Sequence, residues 1–477
     1  MIMEIARKEF VCLIRDGRFK WAIGIMFLLL VTSFVTGYQR YESLHSIREA
    51  SQQKNSEQWL NQDRKNPHTA AHFGNYAYKP QGPLAFFDNG ITNYAGSVIW
   101  LEAHKTNFAQ NRPAQDNGAV SRFGDLTPAM ILQILLPLLI ILMGFSAFAG
   151  ERESGTLRQV MSLGVSSRAL LLGKLLGTSA AIALIIVPVV AITTLVLGFG
   201  LPADSSHLGE RGLLLLGFYL IYTLAFLLLT LGVSAISRTS KGALITLISF
   251  WAMATFILPK AAADISKMVV PTPTYSEFYH LARQTSLKGL EGAKGLLALP
   301  QGRHIEIERR NLLKKYNVKS VQDLPIYWVA YSMQIMEERD YSIYQKFLGD
   351  LRRIFFRQEA MQDRFGLVSP MISLRSLSMA VAGTGLVDQE RFNQTAQDFR
   401  IGMIRAMNGE LIENTTMKDP LYIGGKEVFS KVKPYQYSEP TLSESLEGQR
   451  MNIAILLAWA IVSAVFAFVA VNRLRVQ

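Results

Sequence analysis

The sequence contains a single cysteine, Cys12, among its 477 residues. A lone cysteine excludes a disulfide within the chain, so every region of the protein must be held together by packing and hydrogen bonds. Charged residues are also scarce, at 18% of the chain against 49% hydrophobic residues. The hydrophobic residues are gathered in blocks separated by polar stretches, and this distribution is typical of a protein that crosses a membrane.

Motifs of several enzyme classes are missing as well. No G-x-x-x-x-G-K-[ST] loop occurs, so we do not expect this chain to bind nucleotide phosphates in the P-loop manner. H-E-x-x-H, G-x-S-x-G and a cysteine and histidine ligand set are also missing, which argues against a zinc peptidase and a serine hydrolase. The net charge of +12 lacks the aromatic-interleaved basic stripe of a nucleic-acid-binding protein. We therefore expect no catalytic residue, no metal or cofactor bound by this chain, and no nucleic-acid partner.

Six apolar runs are long enough to cross the roughly 30 Å hydrocarbon layer of a bilayer as helices that rise about 1.5 Å per residue. The predicted transmembrane helices are residues 20–38, 128–149, 170–201, 213–236, 243–258 and 451–472. The fifth is predicted to end before Pro259, and Pro188 in the third predicts either a hinge or a simple kink. Lys and Arg residues flank one set of helix ends, which places that side and both termini in the cytoplasm. The predicted fold is an all-α polytopic membrane protein with six transmembrane helices.

The segments outside these runs form an interfacial helix, a cytoplasmic turn and two extracytoplasmic regions. Residues 1–19 place apolar and charged residues at helical spacing, so they predict an amphipathic helix at the inner interface. The residues assigned to that interface are Arg7, Lys8, Glu9, Phe10 and Arg15. The extracytoplasmic regions are residues 39–127 and 259–450. Helical periodicity over residues 41–60, 331–365 and 389–413 predicts that these regions are mostly helical.

Two histidines in the first extracytoplasmic region stand four residues apart. His68 and His72 would share one face of a helix, where their imidazoles could hold a metal ion. No third ligand lies nearby in the sequence, and Pro67 directly precedes the pair. We therefore interpret them as two surface histidines.

The interior of the predicted membrane region is uncharged. Inside the flanking charges, the six apolar cores contain no Asp, Glu, Lys, Arg or His. Carriers that are driven by protons or other ions usually keep an ionisable group near the middle of the membrane, where the coupling ion binds. The sequence therefore indicates that the energy for any transport comes from a separate ATPase.

A charged octet separates the second and third apolar runs and turns the chain at the cytoplasmic face. It consists of Glu151, Arg152, Glu153, Ser154, Gly155, Thr156, Leu157 and Arg158. Ser154 could cap a short helix by accepting a backbone hydrogen bond, and Thr156 or Gly155 could serve instead. Leu157, Val160 and Met161 would then face a groove on a partner protein. Glu151 and Glu153 would fix the angle of the helix through charge-assisted bonds, although a basic loop with two neutralising acids is the alternative.

Three groups of inner residues stand in a recognisable order and spacing. They are Ala6-Arg7-Lys8-Glu9-Phe10 with Arg15-Asp16-Gly17-Arg18, then Phe148-Ala149-Gly150-Glu151-Arg152-Glu153-Ser154-Gly155-Thr156-Leu157, then Ser166-Ser167-Arg168 with Gly173-Lys174. In this order they resemble the permease subunit of an ABC-2 type ABC exporter, and the resemblance covers essentially the whole chain. The subgroup that is most similar has large extracytoplasmic insertions after the first and fifth transmembrane helices. The matching residues of these insertions are Gly82-Pro83-Leu84-Ala85, Asp88, Gly90, Leu101-Glu102-Ala103-His104, Ser369-Pro370 and Ala382-Gly383-Thr384.

The resemblance implies a half-transporter in the bacterial inner membrane. Two permease chains, identical or paired with a homologue, would join two copies of a cytoplasmic ABC ATPase subunit, which binds the ATP and Mg²⁺. Residues 150–169 would form the coupling segment, with the charged octet as the coupling helix that docks into a groove of the ATPase. Many relatives have a proline before the position of Ser167, whereas this chain has Leu163-Gly164-Val165-Ser166.

Three functions are consistent with these patterns. The first is ATP-driven export of an amphipathic, lipid-linked or peptide-like substrate. The second is mechanical transmission, in which ATP turnover moves the extracytoplasmic region and nothing crosses the membrane. The third is a membrane-anchored enzyme with its site in the extracytoplasmic region, where an accessory protein is a further candidate partner besides the membrane lipids.

Overall fold

The computed structural model describes residues 1–116, 126–199 and 207–474. Parts of the predicted first extracytoplasmic region, the end of the predicted third span and Arg475 lie outside the described residues. Below, "inner" and "outer" name the two ends of the helical bundle according to the orientation predicted from the sequence.

The chain begins with two helices that meet at Asp16. Helix α1 is Ile2–Arg15 and helix α2 is Gly17–Leu60. The Asp16 side chain accepts a hydrogen bond from the Arg18 backbone N–H at 2.9 Å, which caps the start of α2. The predicted first span and the predicted outer helix 41–60 are one helix of 44 residues, because good helix formers continue past the apolar run without a breaker.

The rest of the first outer region contains short elements around a small sheet. They are α3 (Pro67–Phe73), β1 (Asn75–Tyr78), α4 (Thr92–Ala95), β2 (Val98–Leu101) and α5 (Pro113–Asp116). The two strands pair antiparallel, with Asn75 opposite Leu101 and Tyr78 opposite Val98. This pairing brings the residues before β1 next to the residues after β2.

The central part of the chain forms most of the membrane bundle. Its helices are α6 (Pro128–Gly144), α7 (Ala149–Glu153), α8 (Thr156–Ser162), α9 (Ser167–Phe199), α10 (Leu208–Ile236), α11 (Ser240–Ala252) and α12 (Leu258–Val269). Helix α9 continues through Pro188. Pro259 does not end the helix that contains the fifth predicted span, since a π-helical turn at Met253–Ile257 joins α11 to α12. The wider turn accommodates the ring and the missing N–H of the proline, so the helix continues to Val269.

The remaining helices build the second outer region and the last span. They are α13 (Tyr275–Lys288), α14 (Gln301–Tyr316), α15 (Trp328–Arg364), α16 (Pro370–Ala382), α17 (Leu386–Asn414), α18 (Lys426–Phe429), α19 (Leu442–Glu447) and α20 (Arg450–Asn472). Helices α15 and α17 lie where the sequence periodicity predicts helices. The two outer regions share a hydrophobic core in which Trp59 of α2 packs on Phe429 of α18.

Among the residues that the structure describes, seven helices are long and apolar enough to cross a membrane. Six coincide with the predicted spans over the described residues, and the seventh is Pro370–Asn414, which combines α16 and α17. The Ser369 hydroxyl, just before α16, donates to the Ala254 carbonyl at 2.6 Å, about 21 Å along its helix from Ser240. At the other end of α16, Arg211 near the outer end of α10 donates to the Val381 carbonyl at 2.8 Å. Helix α16 therefore packs into the outer half of the bundle.

Two of the outer segments that carry the family resemblance, residues 82–90 and 382–384, come together at the break between α16 and α17. The Leu84 N–H donates to the Ala382 carbonyl at 3.2 Å, and the Ile91 N–H donates to the Thr384 carbonyl at 3.1 Å. Gly383 ends α16 with a φ of 71°, in the left-handed region where glycine is favoured. This joint connects the first outer region to the second at the outer end of the bundle.

Candidate coupling site

The amphipathic helix α1 packs against the start of α9, where two glycines leave room for it. An alanine Cβ at Gly173 would lie 2.5 Å from the Ile5 Cβ, and one at Gly177 would lie 2.5 Å from the Ala6 carbonyl oxygen. Small residues spaced four apart allow two helix backbones to approach closely. Of the residues assigned to the interface, Phe10 is partly buried against the bundle core, and Arg7 and Arg15 are exposed.

A buried lysine lies between α1, α7 and α9. The Lys174 side chain is only 1% exposed, and its ammonium group lies 3.0 Å from a Glu151 carboxylate oxygen and pairs with Glu9. Lys8 pairs with the same Glu151 oxygen at 2.6 Å. Burial of an unpaired charge is costly, so the two carboxylates are required to hold Lys174 in place. We call Lys8, Glu9, Glu151 and Lys174 the inner ion cluster.

The ion cluster also sets the protonation of its most exposed member. Burial lowers the pKa of the Lys8 amine, but the hydrogen bond to Glu151 and the nearby carboxylates outweigh it, so the pKa of Lys8 is raised. Lys8 is therefore charged at physiological pH. The cluster thus combines two lysines with two glutamates.

Arg152 attaches the turn to the inner end of α10. Its guanidinium donates to the Ala235 carbonyl at 2.7 Å and also to the Ser237 carbonyl. These carbonyls belong to the last turn of the helix, where backbone acceptors lack helical partners and a cation is favourable. Arg152 therefore provides hydrogen-bond donors for backbone carbonyls at the end of the helix that contains the fourth predicted span.

Glu153 attaches the turn to the beginning of α11. Its carboxylate accepts a hydrogen bond from the Ser240 hydroxyl at 2.5 Å, and Ser240 is the first residue of that helix. A negative charge is favourable at a helix N-terminus. We predicted from the sequence that Glu151 and Glu153 orient the turn by charge-assisted bonds, and in the structure their partners belong to this chain.

The short helix α8 does not begin as predicted through Ser154. Gly155 is the N-cap residue, with a φ of 76°, and no side chain caps the helix. The Ser154 hydroxyl lies 2.9 Å from the Thr156 hydroxyl instead. Gly155, the alternative that the sequence left open, therefore occupies the cap position.

The apolar side of α8 also faces a different way from the prediction. Leu157 is 3% exposed and packs into the bundle core, with Val160 and Met161 partly buried beside it. The exposed side carries Arg158, and Leu163 just after the helix is 82% exposed. A partner protein would therefore meet the polar side of α8 and the Leu163 tip, while Leu157 anchors the helix to its own chain.

The long helices define the class of protein to which the chain belongs. Seven long apolar helices in the described part of the chain, arranged around a common hydrophobic core, identify a multi-pass membrane protein. The comparison with protein families then identifies the family. Residues 3–474 match the model of the ABC-2 family transporter proteins, so the chain belongs to that family. Permeases of this family generally pair with a cytoplasmic ATPase subunit, and no curated protein matches this chain.

The buried partner of Glu151 was not predicted from the sequence. Lys174 contributed to the family resemblance but was assigned no role in the site. The signal that could have revealed it is the spacing of Gly173 and Gly177, which places two small residues around Lys174 at a helix contact. A lysine between such glycines is covered by the packed helix and therefore needs acidic partners.

Proposed function

We propose that this chain is the permease subunit of an ATP-driven exporter, and that a separate cytoplasmic ABC ATPase binds ATP and Mg²⁺ and drives it. The observation that carries the proposal is the attachment of the turn before α8. Three consecutive residues connect it to different helices: Glu151 to α1 and α9, Arg152 to α10, and Glu153 to α11. The neighbouring exposed side of α8 remains accessible to a partner.

This arrangement supports mechanical coupling. A force on the exposed side of α8 would act through Leu157 and the three anchors on several membrane helices at once. Charge-assisted hydrogen bonds hold their partners in defined geometry, so the turn would move as a unit with the helix ends. Gly155, Thr156 and Arg158 would thus contact the ATPase, and Glu151 to Glu153 would transmit the motion.

An apolar cavity supports an amphipathic, lipid-linked or peptide-like substrate. The cavity lies between α9 and α10 and has a volume of about 460 Å³. Its lining is mostly aliphatic, with Leu132, Val189 and Leu215 among its walls and the Tyr219 side chain as a polar contact. Cavities of this size and character commonly bind the apolar part of a ligand.

The assembly that we propose contains two permease chains, identical or homologous, and two ATPase subunits in a bacterial inner membrane. The chain itself is not expected to hydrolyse ATP. An accessory protein on the outer region is part of the proposal as a candidate partner.

Mechanical transmission without translocation is the second candidate, and the continuous helices favour it. Helix α2 runs for 44 residues from the inner end of the bundle into the outer region. The α11 to α12 helix also runs without a break from Ser240 to Val269. Such helices could move the outer region when the inner ends move, whether or not a substrate crosses.

The first experiment tests the ATPase contact. The full chain would be purified from its native membranes, the copurifying ATP-binding chain identified by mass spectrometry, and the complex reconstituted. Reversing the charge at an exposed position of α8, Arg158→Glu, should reduce copurification and ATP hydrolysis by the complex at least several-fold. The matched control is Lys314→Glu, an equal reversal at an exposed position of the outer region. Equal effects of the two variants, or none, would contradict the proposed contact.

The second experiment separates export from transmission. Filling the cavity with Val189→Trp should abolish ATP-dependent movement of a headgroup-labelled phospholipid in proteoliposomes, while binding of the ATPase persists. If the wild-type complex hydrolyses ATP in these vesicles but moves neither this probe nor a labelled amphipathic peptide, transmission is favoured.

A further inference from the structure

Three histidines of the outer region converge although the sequence separates them. His68 and His72 lie on α3, and His104 lies in the turn after β2. One nitrogen from each ring can be chosen so that all three lie within 4.8 Å of one another. No third histidine lies near His68 and His72 in the sequence, but in the structure His104 lies beside them. The antiparallel pairing of β1 and β2 brings the third ligand to the pair, because α3 directly precedes β1 and His104 follows β2.

The distances suit a metal ion bound by imidazoles. The Nε2 atoms of His68 and His104 lie 3.2 Å apart. Two nitrogens at the usual zinc distance, in tetrahedral geometry, are separated by about 3.3 Å. The His72 ring lies 4.8 Å from the His68 ring and 5.0 Å from the His104 ring, centroid to centroid. His72 is exposed at the surface, so its side chain has room to turn toward the other two rings.

Two neighbouring side chains orient the rings toward a common centre. The Asn408 amide oxygen lies 2.8 Å from His68 Nδ1, and the amide nitrogen of Asn408 donates to Gln334 at 2.9 Å, which fixes the orientation of the amide. A Glu337 carboxylate oxygen lies 2.5 Å from His104 Nδ1. Both Nδ1 atoms therefore carry hydrogens, and both Nε2 atoms present lone pairs. Metal-binding histidines typically have such partners on the nitrogen that does not bind the metal.

Glu337 is itself held rigidly. Its side chain is 2% exposed, and its second oxygen accepts a hydrogen bond from Arg400 at 3.1 Å. The oxygen that contacts His104 also accepts the His104 backbone N–H at 2.7 Å. His104 adopts a φ of 64°, which is uncommon outside glycine and is maintained here by these bonds. The ring of His104 is therefore placed by the backbone, by Glu337 and by the buried charge pair behind it.

The contact between the two Nε2 atoms fits a proton or a metal ion between them. With hydrogens on both Nδ1 atoms, two Nε2 lone pairs face each other across 3.2 Å, and this repulsion is relieved only by a proton or a metal ion between them. A proton would join only His68 and His104, whereas a metal ion could also take the His72 nitrogen, which lies beside both rings.

We propose that His68, His72 and His104 form a binding site for a divalent transition-metal ion of the zinc class. Imidazole ligands suit zinc, cobalt, nickel and copper rather than magnesium or calcium. The His104 side chain is 46% exposed, so the fourth position faces solvent and is open to water or to another ligand. The ion joins α3 to the turn after β2, and through Glu337 and Asn408 to α15 and α17. It thus cross-links the two outer regions of a chain that contains no cysteine there. The site is independent of the proposed transport function.

Cobalt binding to the full-length protein tests the site. The protein would be purified in detergent through a tag without histidine, stripped with a chelator and titrated with Co²⁺. We expect one Co²⁺ per chain with the intense visible d–d absorption of a four-coordinate site, and we expect Zn²⁺ to displace it. No binding, or only the weak spectrum of a six-coordinate hydrated ion, would overturn the proposal.

Matched variants identify the ligands. His72→Ala removes an exposed side chain and should weaken Co²⁺ binding at least tenfold without changing the fold. His280→Ala, which removes another exposed outer histidine, should leave the affinity and the spectrum unchanged. Glu337→Gln should weaken binding by about 10- to 100-fold, the usual effect of losing such an orienting carboxylate. Equal binding by wild type and His72→Ala would refute the site, and so would loss of the spectrum in His280→Ala.

Discussion

Replacement of Lys174 by methionine is the sharpest test of the inner ion cluster. The substitution keeps a long, unbranched side chain but removes the buried charge. Glu9 and Glu151 would then face each other with only Lys8 to compensate them. The matched variant is Lys8→Met, which removes the other cation of the same cluster.

The expected change in the free energy of unfolding follows from the burial of each lysine. Removing one member of a buried ion pair costs about 3–5 kcal/mol. The side chains of Lys174, Glu9 and Glu151 are 1%, 13% and 14% exposed. Because Lys8 stays beside Glu151, we expect Lys174→Met to lower the free energy of unfolding by about 3 kcal/mol, the lower end of that range. Lys8 is 55% exposed, so Lys8→Met should cost about 0–1 kcal/mol.

Reversible unfolding by SDS in mixed micelles, followed by tryptophan fluorescence, measures both values. The double variant Lys174→Met with Glu151→Gln provides a control, because it leaves Lys8 and Glu9 as a balanced pair. It should recover at least half of the stability that Lys174→Met loses. The reasoning is refuted if Lys174→Met and Lys8→Met cost the same, or if the double variant is less stable than Lys174→Met alone.

Three further predictions concern packing, orientation and coupling. Gly177→Ala should destabilise the protein, since its Cβ would meet a backbone oxygen at 2.5 Å, whereas Gly217→Ala, with nothing within 4 Å, should stabilise it by about 0.5–1 kcal/mol. The same SDS titration compares these variants, and a stabilised Gly177→Ala would contradict the described contact of α1. Cys12 is exposed, so a membrane-impermeant maleimide should label it in inverted vesicles and leave it unlabelled in intact cells. The reverse pattern would exclude a cytoplasmic N-terminus. Glu153→Lys should lower ATP hydrolysis by the reconstituted complex while costing only about 0.3–1 kcal/mol of stability, because it places a cation at a helix N-terminus. Unchanged hydrolysis would count against a role of Glu153 in coupling.

The positions of the long helices could be predicted from the sequence, because their signals are local. The apolar runs and the periodicity of α15 and α17 extend over many turns, so errors at single residues do not obscure them. The ends of the helices were less predictable from the sequence. Pro259 is a strong local signal for a helix end, yet a π-helical turn accommodates it. The polar residues after Tyr38 indicated a boundary of the membrane, and the helix itself continues to Leu60.

The site could be located from the sequence, but its contacts could not. The charged octet could be recognised because it is a polar segment between two long apolar runs. The partners of its residues are far away in the chain: Ser237 and Ser240 lie more than 80 positions after Arg152 and Glu153. His104 was missed for the same reason, since strand pairing and not sequence proximity brings it to His72. Such contacts depend on tertiary packing, which single-sequence patterns do not encode locally.

The length of α2 has a geometrical consequence. At about 1.5 Å per residue, a straight helix of this size is about 66 Å long. If its inner end acts as the pivot, a tilt of about 5° displaces the opposite end by about 6 Å, more than one turn of helix. A tilt of α2 that is too small to open a pathway at the cytoplasmic side could therefore move its outer end by several ångströms. Trp59, where α2 packs against α18, lies at that end. The length of the helix is therefore sufficient to convert a small tilt at its inner end into a large displacement at its outer end.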